Sequence, residues 1–277
     1  MPNSAGNRSA PTPEAIIGSL YRAILGRSPD PGGLEAYVAE LNSGTSLDHI
    51  ISVFVESDEF MRRINKKLAH LFTERTDARF PVDYNPPPNE SGKTYFARRA
   101  NGFFERFLSG EKILDIGYRG SDNPEGLAVV PHAIGVDLDF PGYDGLRLPF
   151  DDESIDTVFT SHCLEHIESY QLAIRDWHRV LKVGGYLVCA VPSQTLYEKK
   201  RSMPSRFNED HKRFYTPAGL IGEFQESLAE NSYRIRHLEE NDATYDYARG
   251  PEAHPVGCYE IVVVVEKISA PGWELAG

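Results

Sequence analysis

Residues 161–168, "SHCLEHIE", place His162, Glu165 and His166 in the pattern His-x-x-Glu-His. On a regular helix that spacing sets two imidazoles one turn apart, close enough to grip a metal ion. On a turn the same side chains do other work. His166 exchanges a proton near neutral pH and Glu165 can assist it, which suits a general base or a hydrogen-bonding group for substrate; the plain alternative is a histidine bonded to nearby backbone. The preceding run "IDTVFTS" reads as a strand leading straight into His162. That leaves His162 at a turn and only His166 inside a helix, with no companion acid motif to supply a third ligand, so no metal is expected. Cys163 reads as a small packing residue rather than a nucleophile.

Two other groups carry chemistry. In "ILDIGYRGSDN", Gly117 and Gly120 permit a tight turn and a close approach of ligand to backbone at a strand end. Asp137 ends the next strand about twenty residues later, where a carboxylate can accept hydrogen bonds from both hydroxyls of a ribose. Alone, this pattern leaves an adenosyl cofactor, a dinucleotide and a plain turn with a strand-end aspartate all open. Downstream, residues 192–220 are long, polar and aromatic, and carry Lys199, Lys200, Arg201, Arg206, Lys212 and Arg213. They read either as a solvated charged face or as a lid over an acceptor, with His211, Arg213 and Tyr215 turned into the pocket.

These residues need a scaffold, and an alternation of strand and helix supplies it. From residue 111 onward, "KILDIG", "AIGVDLD", "IDTVFTS", "YLVCAVP" and "YEIVVVVEKI" are apolar runs of strand length. "QLAIRDWHRVLKVGG" reads as an amphipathic helix carrying Leu172, Trp177, Val180 and Leu181, ended by Gly184 and Gly185. Apolar strands between helices imply an α/β fold with a parallel sheet covered on both faces, whose ligands bind beyond the carboxyl ends of the strands.

Residues 12–74 read instead as a small all-α module. Thr12 caps a helix with Pro13 at its first position, and Ile17, Leu20, Tyr21, Ile24 and Leu25 recur at helical spacing. Leu34, Tyr37, Val38 and Leu41 mark a second helix stopped by Gly44; Leu47, Ile50, Ile51 and Phe54 mark a third. Ser57 caps a fourth, with Phe60, Ile64, Leu68 and Leu71 as its stripe. Residues 1–11 read as a disordered tail and 75–93, within the four-proline stretch "ARFPVDYNPPPNESGK", as an extended linker. Residues 94–277 form the second domain, entered through the helix "TYFARRANGFFERFLSG".

Composition narrows the function classes. A chain of 277 residues has room for one full α/β domain plus something smaller. Its net charge of −12 argues against a general nucleic-acid partner, which needs a basic footprint. The longest apolar run, "IVVVV" at 261–265, is strand-sized, so no transmembrane segment is expected, and the N-terminus lacks the apolar core of a signal peptide. Three widely spaced cysteines do not suggest a disulfide framework. A cytoplasmic protein is expected.

"YDGLRLPFDDESIDTVFTSHCLEHI", then "RVLKVGGYLVCAVP", resembles the type-11 branch of the class I S-adenosylmethionine-dependent methyltransferases, over about residues 95–268. The family wording is Asp-x-x-x-Leu-Pro-Phe, Phe-Asp-x-Val, Leu-Glu-His and Arg-Val-Leu-Lys-Pro-Gly-Gly. The resemblance implies a Rossmann-like sheet, mostly parallel with an antiparallel late strand, and S-adenosylmethionine as cofactor. It assigns Asp115 and Gly117 to the methionine end, with Tyr118, Arg119 and Gly120 in the same turn. Asp137 falls to the ribose with Leu138 beside the adenine, and Asp144, Gly145 and Leu146 border the adenine amino group. Ser161 and His162 fall near the methionine moiety. His166, Glu165 and His211 then stand as candidates for catalysis, and Arg213 and Tyr215 for acceptor binding.

Two departures bear on the cofactor. Arg119 and Ser121 stand where the family has its second and third glycines, so the turn is redrawn around Gly120, or the cofactor is held more weakly, or Arg119 pairs with the methionine carboxylate. A degraded, non-catalytic site is the extreme of that series. Only six residues separate Asp137 from Asp144, so the helix normally found there is nearly absent and one side of the pocket is open.

"YRAILGRSPDPGGLEAYVAELNSG", followed by "FVESDEF", resembles a bacterial domain of unknown function related to phycobilisome-linker modules, often found with cell-surface and polysaccharide proteins. "DHKRFYTP" resembles a segment of methyltransferases of bacterial glycan synthesis. Together they imply an O-methyltransferase acting on a sugar or glycan hydroxyl in cell-surface polysaccharide synthesis, with the helical module open to a protein or glycan partner. A phenol or small metabolite is the other acceptor class.

Overall fold

The computed structural model describes residues 11–60, 63–64, 79–80, 84, 86, 89–108, 110–118 and 127–273, and the chain divides into two compact units, residues 1–67 and 68–277. In the first unit, helix α1 (Pro13–Leu20) begins with Pro13 at its first position, and the Ala15 N–H donates to Thr12 Oγ1 at 3.3 Å. It continues as a π-helical turn, Tyr21–Leu25. Helix α2 (Pro31–Asn42) is capped by Asp30, which accepts from the Gly33 N–H at 2.8 Å, and the chain leaves it through Gly44 at φ +97°. Helix α3 (Leu47–Glu56) is capped by Ser46. Ile17, Tyr21, Ile50 and Phe54 are the buried centre, with Leu34, Tyr37, Val38 and Leu41 packed around them; of the third stripe Leu47 is exposed and Ile51 lies outside the cluster. Arg27 grips Glu59 through two hydrogen bonds, 2.6 and 2.9 Å. Leu68, Leu71, residues 1–10 and most of the 75–93 linker lie outside the described residues.

The second unit runs α4 (Glu90–Ala100), α5 (Phe103–Phe107), β1 (Ile113–Ile116), β2 (Ile134–Val136), β3 (Ile155–Ser161), α6 (Tyr170–Val180), β4 (Leu181–Pro192), α7 (Pro217–Ser227), β5 (Tyr233–Asn241) and β6 (Glu260–Lys267). The strands form one sheet in the order β2-β1-β3-β4-β6-β5. Neighbours among β1 to β4 are parallel; β6 is antiparallel to both β4 and β5. The apolar runs arise because both faces are buried. Leu187, Cys189 and Val191 face α6 and α7 with Ile261, Val263 and Val265, while Val188, Ala190, Val262 and Val264 face α4 and α5. Because β6 runs against β4, its first residue Glu260 stands opposite Pro192, the last of β4. The ends of β1 to β4 and the start of β6 therefore share one edge of the sheet.

Three features differ from the sequence expectation. The entry helix begins at Glu90, within the expected linker, where Asn89 caps it, and Gly102 at φ +80° breaks it into α4 and α5. Helix α6 stops at Val180, and Leu181 already pairs with Ile155 in the sheet. Lys267 Nζ takes the freed carbonyls of His178, Arg179 and Leu181 at 3.2, 3.4 and 2.8 Å, so the helix needs no glycine stop; Gly184 bends the chain inside the strand region instead. Strand β5 escapes a reading from pattern because most of its side chains are exposed, leaving no alternation to find. Among the described residues, no helix is long and apolar enough to cross a membrane.

Candidate active site

The turn after β1 is built around a buried acid. Asp115 Oδ2 accepts from the Val129 N–H at 2.6 Å, yet burial, with a contribution from the Asp137 charge, pushes its carboxyl up to about 7. Since the ordinary value is 3.8, this neutral form contributes stability that is full below about pH 4 and is lost as pH rises to about 7. Asp115→Asn should therefore gain on the wild type by a few kcal/mol across that window, at about 1.4 kcal/mol for each pH unit crossed. Urea midpoints measured against pH check this; a constant difference between the two proteins would show Asp115 already ionised at pH 4.

Gly117 sits at φ +77°, and a Cβ there would lie 2.6 Å from Cys163 Sγ, so the turn requires glycine on both counts. Burial, with the nearby Glu165 charge, pushes the Cys163 thiol up to about 12. Tyr118 lies across β2, its ring so close to Gly135 that a Cβ there would meet it at 2.6 Å; the ring packs on the sheet. Arg119 and Gly120 lie outside the described residues.

Asp137 follows β2 on the same edge, and Leu138 beside it is 73% exposed. Asp144 accepts from the Leu146 and Arg147 N–H groups at 2.9 and 2.7 Å, closing a turn with Gly145 at φ +90°; the Arg147 and Leu146 amides hold its carboxyl below the usual range. Arg179 fastens the chain just beyond. Its guanidinium donates to the carbonyls of Leu148 and Phe150 at 3.0 and 2.8 Å and to Asp152 at 2.7 Å, while Asp176 accepts from both Arg179 and the Leu148 N–H. The clamp ties "LRLPFDD" to the end of α6 that opens "RVLK".

β3 ends at Ser161, whose Oγ is buried without a hydrogen-bond partner among the described residues. His162 then turns the chain at φ +51°. Contrary to expectation, His166 is not in a regular helix: Leu164–His166 is a single 3-10 turn, and α6 begins only at Tyr170. The reason is tertiary. The Lys212 N–H donates to the Glu165 carbonyl at 2.8 Å, and Arg213 donates to the carbonyls of Leu164 and Glu168 at 2.9 and 2.9 Å, drawing off acceptors that a helix would use.

That arrangement gathers three imidazoles around one buried carboxylate. Glu165 Oε1 lies 3.9 Å from His162 Nδ1, 3.8 Å from His166 Nε2 and 4.0 Å from His211 Nε2. The His166 and His211 rings are 4.9 Å apart and nearly perpendicular. Buried Glu198 holds His211 Nδ1 at 2.8 Å, and Ser205 Oγ donates to Glu198. His162 Nε2 points the other way, 3.6 Å from Glu260, which also takes Arg98 at 2.6 Å and Asn241 at 3.0 Å. Burial alone would lower the His162 imidazole, but Glu260, Glu90 and Glu165 raise it above its ordinary value. His211 moves down, because burial outweighs Glu198. Burial would raise the Glu260 carboxyl, but Arg98 and His162 hold it at about 2.

Arg213 and Tyr215, the residues expected to contact the acceptor, are both engaged by protein groups here. The Arg213 guanidinium is engaged by backbone carbonyls and by Glu223 at 3.4 Å, and Tyr215 is buried with its hydroxyl donating to Glu223 at 2.8 Å. The 192–220 segment is folded onto the edge, and its turn Gln194–Glu198 divides the histidine cluster from a cavity of about 530 Å³ lined by Lys199, Glu240, Asp242, Tyr245 and Tyr247 among others. Glu198 and Glu260 were not singled out from sequence. Glu198 belongs to no motif; Glu260 is an acid opening an apolar strand, a signal that gains meaning only once β6 is known to run antiparallel.

Residues 121–189 match the family model described as "Methyltransferase domain", and residues 4–64 match "Domain of unknown function (DUF4214)". A demethylmenaquinone methyltransferase of Streptomyces griseus is 37% identical over 70 residues, covering 25% of this chain and 30% of the relative. One from Roseiflexus castenholzii is 36% identical over 88 residues, covering 26% and 37%. The chain thus spans less than two fifths of these curated relatives. An S-adenosylmethionine-dependent methyltransferase of Mesorhizobium loti with a solved structure is 18% identical, with a TM-score of 0.37, covering 57% of this chain and 91% of that one. By its own strand order and the match at residues 121–189, the second unit has the Rossmann-like fold of the class I methyltransferases.

Proposed function

We propose that this protein is an S-adenosylmethionine-dependent O-methyltransferase acting on a hydroxyl of a sugar or glycan. The observation that carries the reading is the position of the Glu165–His166–His211 cluster on the same sheet edge as the Gly117 turn and Asp137. The edge fits an adenosyl sulfonium cofactor: Gly117 leaves the backbone bare, Ser161 Oγ is a buried orphan among the described residues, and Leu138 offers an open apolar surface beside Asp137. When bound, S-adenosylmethionine supplies a sulfonium methyl, and in-line attack by the acceptor oxygen leaves the electrons of the broken S–C bond on sulfur. Asp137 accepts the ribose hydroxyls, and Asp115 faces the methionine end. His166, whose side chain is 31% exposed while Glu165 is buried behind it, takes the acceptor proton.

The polar, basic 192–220 segment folded over the edge, with its "DHKRFYTP" resemblance to methyltransferases of glycan synthesis, supports a saccharide acceptor. The relatives named for demethylmenaquinone favour a quinol-type phenol as the second reading. The helical module we assign to docking of a glycan or protein partner.

Asp137→Ala should weaken S-adenosylmethionine at least about tenfold by removing a charge-assisted, two-point contact. Calorimetry measures it, and no heat from the wild type at millimolar cofactor would sink the reading. An acceptor screen of saccharides against phenols then separates the two acceptor classes.

A further inference from the structure

We propose that Glu165, His166 and His211 form a binding site for a divalent transition-metal ion of zinc-like chemistry, placed to hold the acceptor hydroxyl. Glu165 Oε1 lies 3.8 Å from His166 Nε2 and 4.0 Å from His211 Nε2, and the three ligand atoms all fall within 4.8 Å of one another. Ligands at about 2.0–2.2 Å from a tetrahedral zinc ion stand roughly 3.3 Å apart, so each atom needs to move by less than about 1 Å to close on an ion. Side-chain rotation covers that distance.

Three further observations point the same way. His211 is held through Nδ1 by Glu198 at 2.8 Å, and Glu198 is itself fixed by Ser205 Oγ at 2.8 Å and the Arg206 N–H at 3.1 Å. A carboxylate on the far nitrogen is the arrangement that orients a metal-binding imidazole and turns its Nε2 lone pair toward the ion. Glu165, His211 and Glu198 are buried, whereas the His166 side chain is 31% exposed, so the site has a dry floor and one open side. Three protein ligands with an open position is the composition of catalytic rather than structural zinc sites. Two imidazoles and one carboxylate favour zinc, cobalt, nickel or manganese over magnesium or calcium.

The trio is not the one that the His-x-x-Glu-His pattern offers. His162 Nε2 turns to Glu260, and the 3-10 turn brings the neighbours Glu165 and His166 to bear together. The third ligand, His211, arrives from 45 residues beyond His166, where spacing alone could not point to it. The expectation of no metal rested on His162 standing at a turn and on the absence of a companion acid motif. Use of the ion on the acceptor rests on the methyltransferase reading; the site itself does not. With the ion present, His166 and His211 are ligands, the hydroxyl oxygen takes the open position, and its proton leaves to water there as coordination lowers its pKa.

The test strips the full chain with chelator and titrates it with zinc chloride by calorimetry, without cofactor or acceptor. One ion per chain with a dissociation constant below about 1 µM is expected, weakened a hundredfold or more in His166→Ala and in His211→Ala. Glu198→Gln should lose roughly ten- to a hundredfold. Cobalt should give d–d absorption that both histidine variants abolish and that a Cys163→Ala/Cys258→Ala variant keeps. Circular dichroism confirms folding, and if His211→Ala does not fold, the part-exposed His166→Ala decides alone. No uptake, or equal affinity in wild type and His166→Ala, overturns the site. Zinc uptake without S-adenosylhomocysteine binding would leave the site standing and remove the methyltransferase reading; cofactor binding without zinc uptake would do the reverse.

Discussion

Replacing His166 with alanine is expected to lower methyl transfer at least a hundredfold while changing S-adenosylhomocysteine affinity less than about twofold. A sugar hydroxyl is a weak nucleophile and must lose its proton as the new bond forms, and a positioned acid or base contributes typically 10²–10⁴-fold to such a step. His166 is the exposed member of the cluster, with Glu165 behind it and His211 packed across it at 4.9 Å between ring centres. The loss should fall on kcat, because on the proposed reading His166 serves the acceptor oxygen, as its base or as a ligand of the ion that holds it, and not the adenosyl end. His211→Ala removes the partner of Glu198 as well, and so should add a loss of folded stability that His166→Ala lacks. Methyl transfer and cofactor binding measured on the same variants separate these effects. Full activity in His166→Ala would return the cluster to a packing role.

Arg98→Ala should destabilise the second unit by about 3–5 kcal/mol, the usual loss when one partner of a buried pair is removed and the other charge is left behind. Arg98 on α4 meets Glu260 at 2.6 Å, both side chains nearly inaccessible, and its guanidinium also lies 5.3 Å from the Phe103 ring centre. The pair joins α4 to the first residue of β6 and, through Glu260, to His162. Glu260 titrates at about 2 in the fold against an ordinary 4.5, so its depressed value contributes stability that is present above about pH 4.5 and is lost as pH falls toward 2. That loss amounts to about 3 kcal/mol, at 1.4 kcal/mol for each pH unit crossed. The double variant Arg98→Met/Glu260→Gln should be more stable than Arg98→Ala, since no unpaired charge remains buried. Thermal and urea melts of the three proteins check the ordering; a single-variant loss under about 1 kcal/mol would show that the pair is solvated.

Much of this architecture can be read from the chain, and the limits have physical causes. β1, β3, β4 and β6 are legible because both of their faces are buried, which writes them as unbroken apolar runs. β5 is buried on neither face over most of its length and leaves no such trace. The caps at Thr12 and Ser57 are local and follow from residue type alone. The 3-10 turn at Leu164–His166 is not local: Lys212 and Arg213 impose it from a segment nearly fifty residues away. His211 was legible as a candidate, but Glu198 behind it and the convergence of three imidazoles on Glu165 depend on how the 192–220 segment folds back. The contacts of Arg213 to the Leu164 carbonyl and of Tyr215 to Glu223 likewise depend on that fold and could not be read from residue type.

Cys163 fills the space beneath the Gly117 turn, and burial keeps its thiol protonated up to about pH 12. Only the thiolate reacts with peroxide or alkylating agents, and at pH 7 a thiol of that acidity is ionised in roughly one molecule in 10⁵. Burial pushes the Cys258 thiol up to about 12 and raises that of fully buried Cys189 well above its ordinary value. Oxidants at neutral pH therefore meet a protonated thiol beside the Gly117 turn.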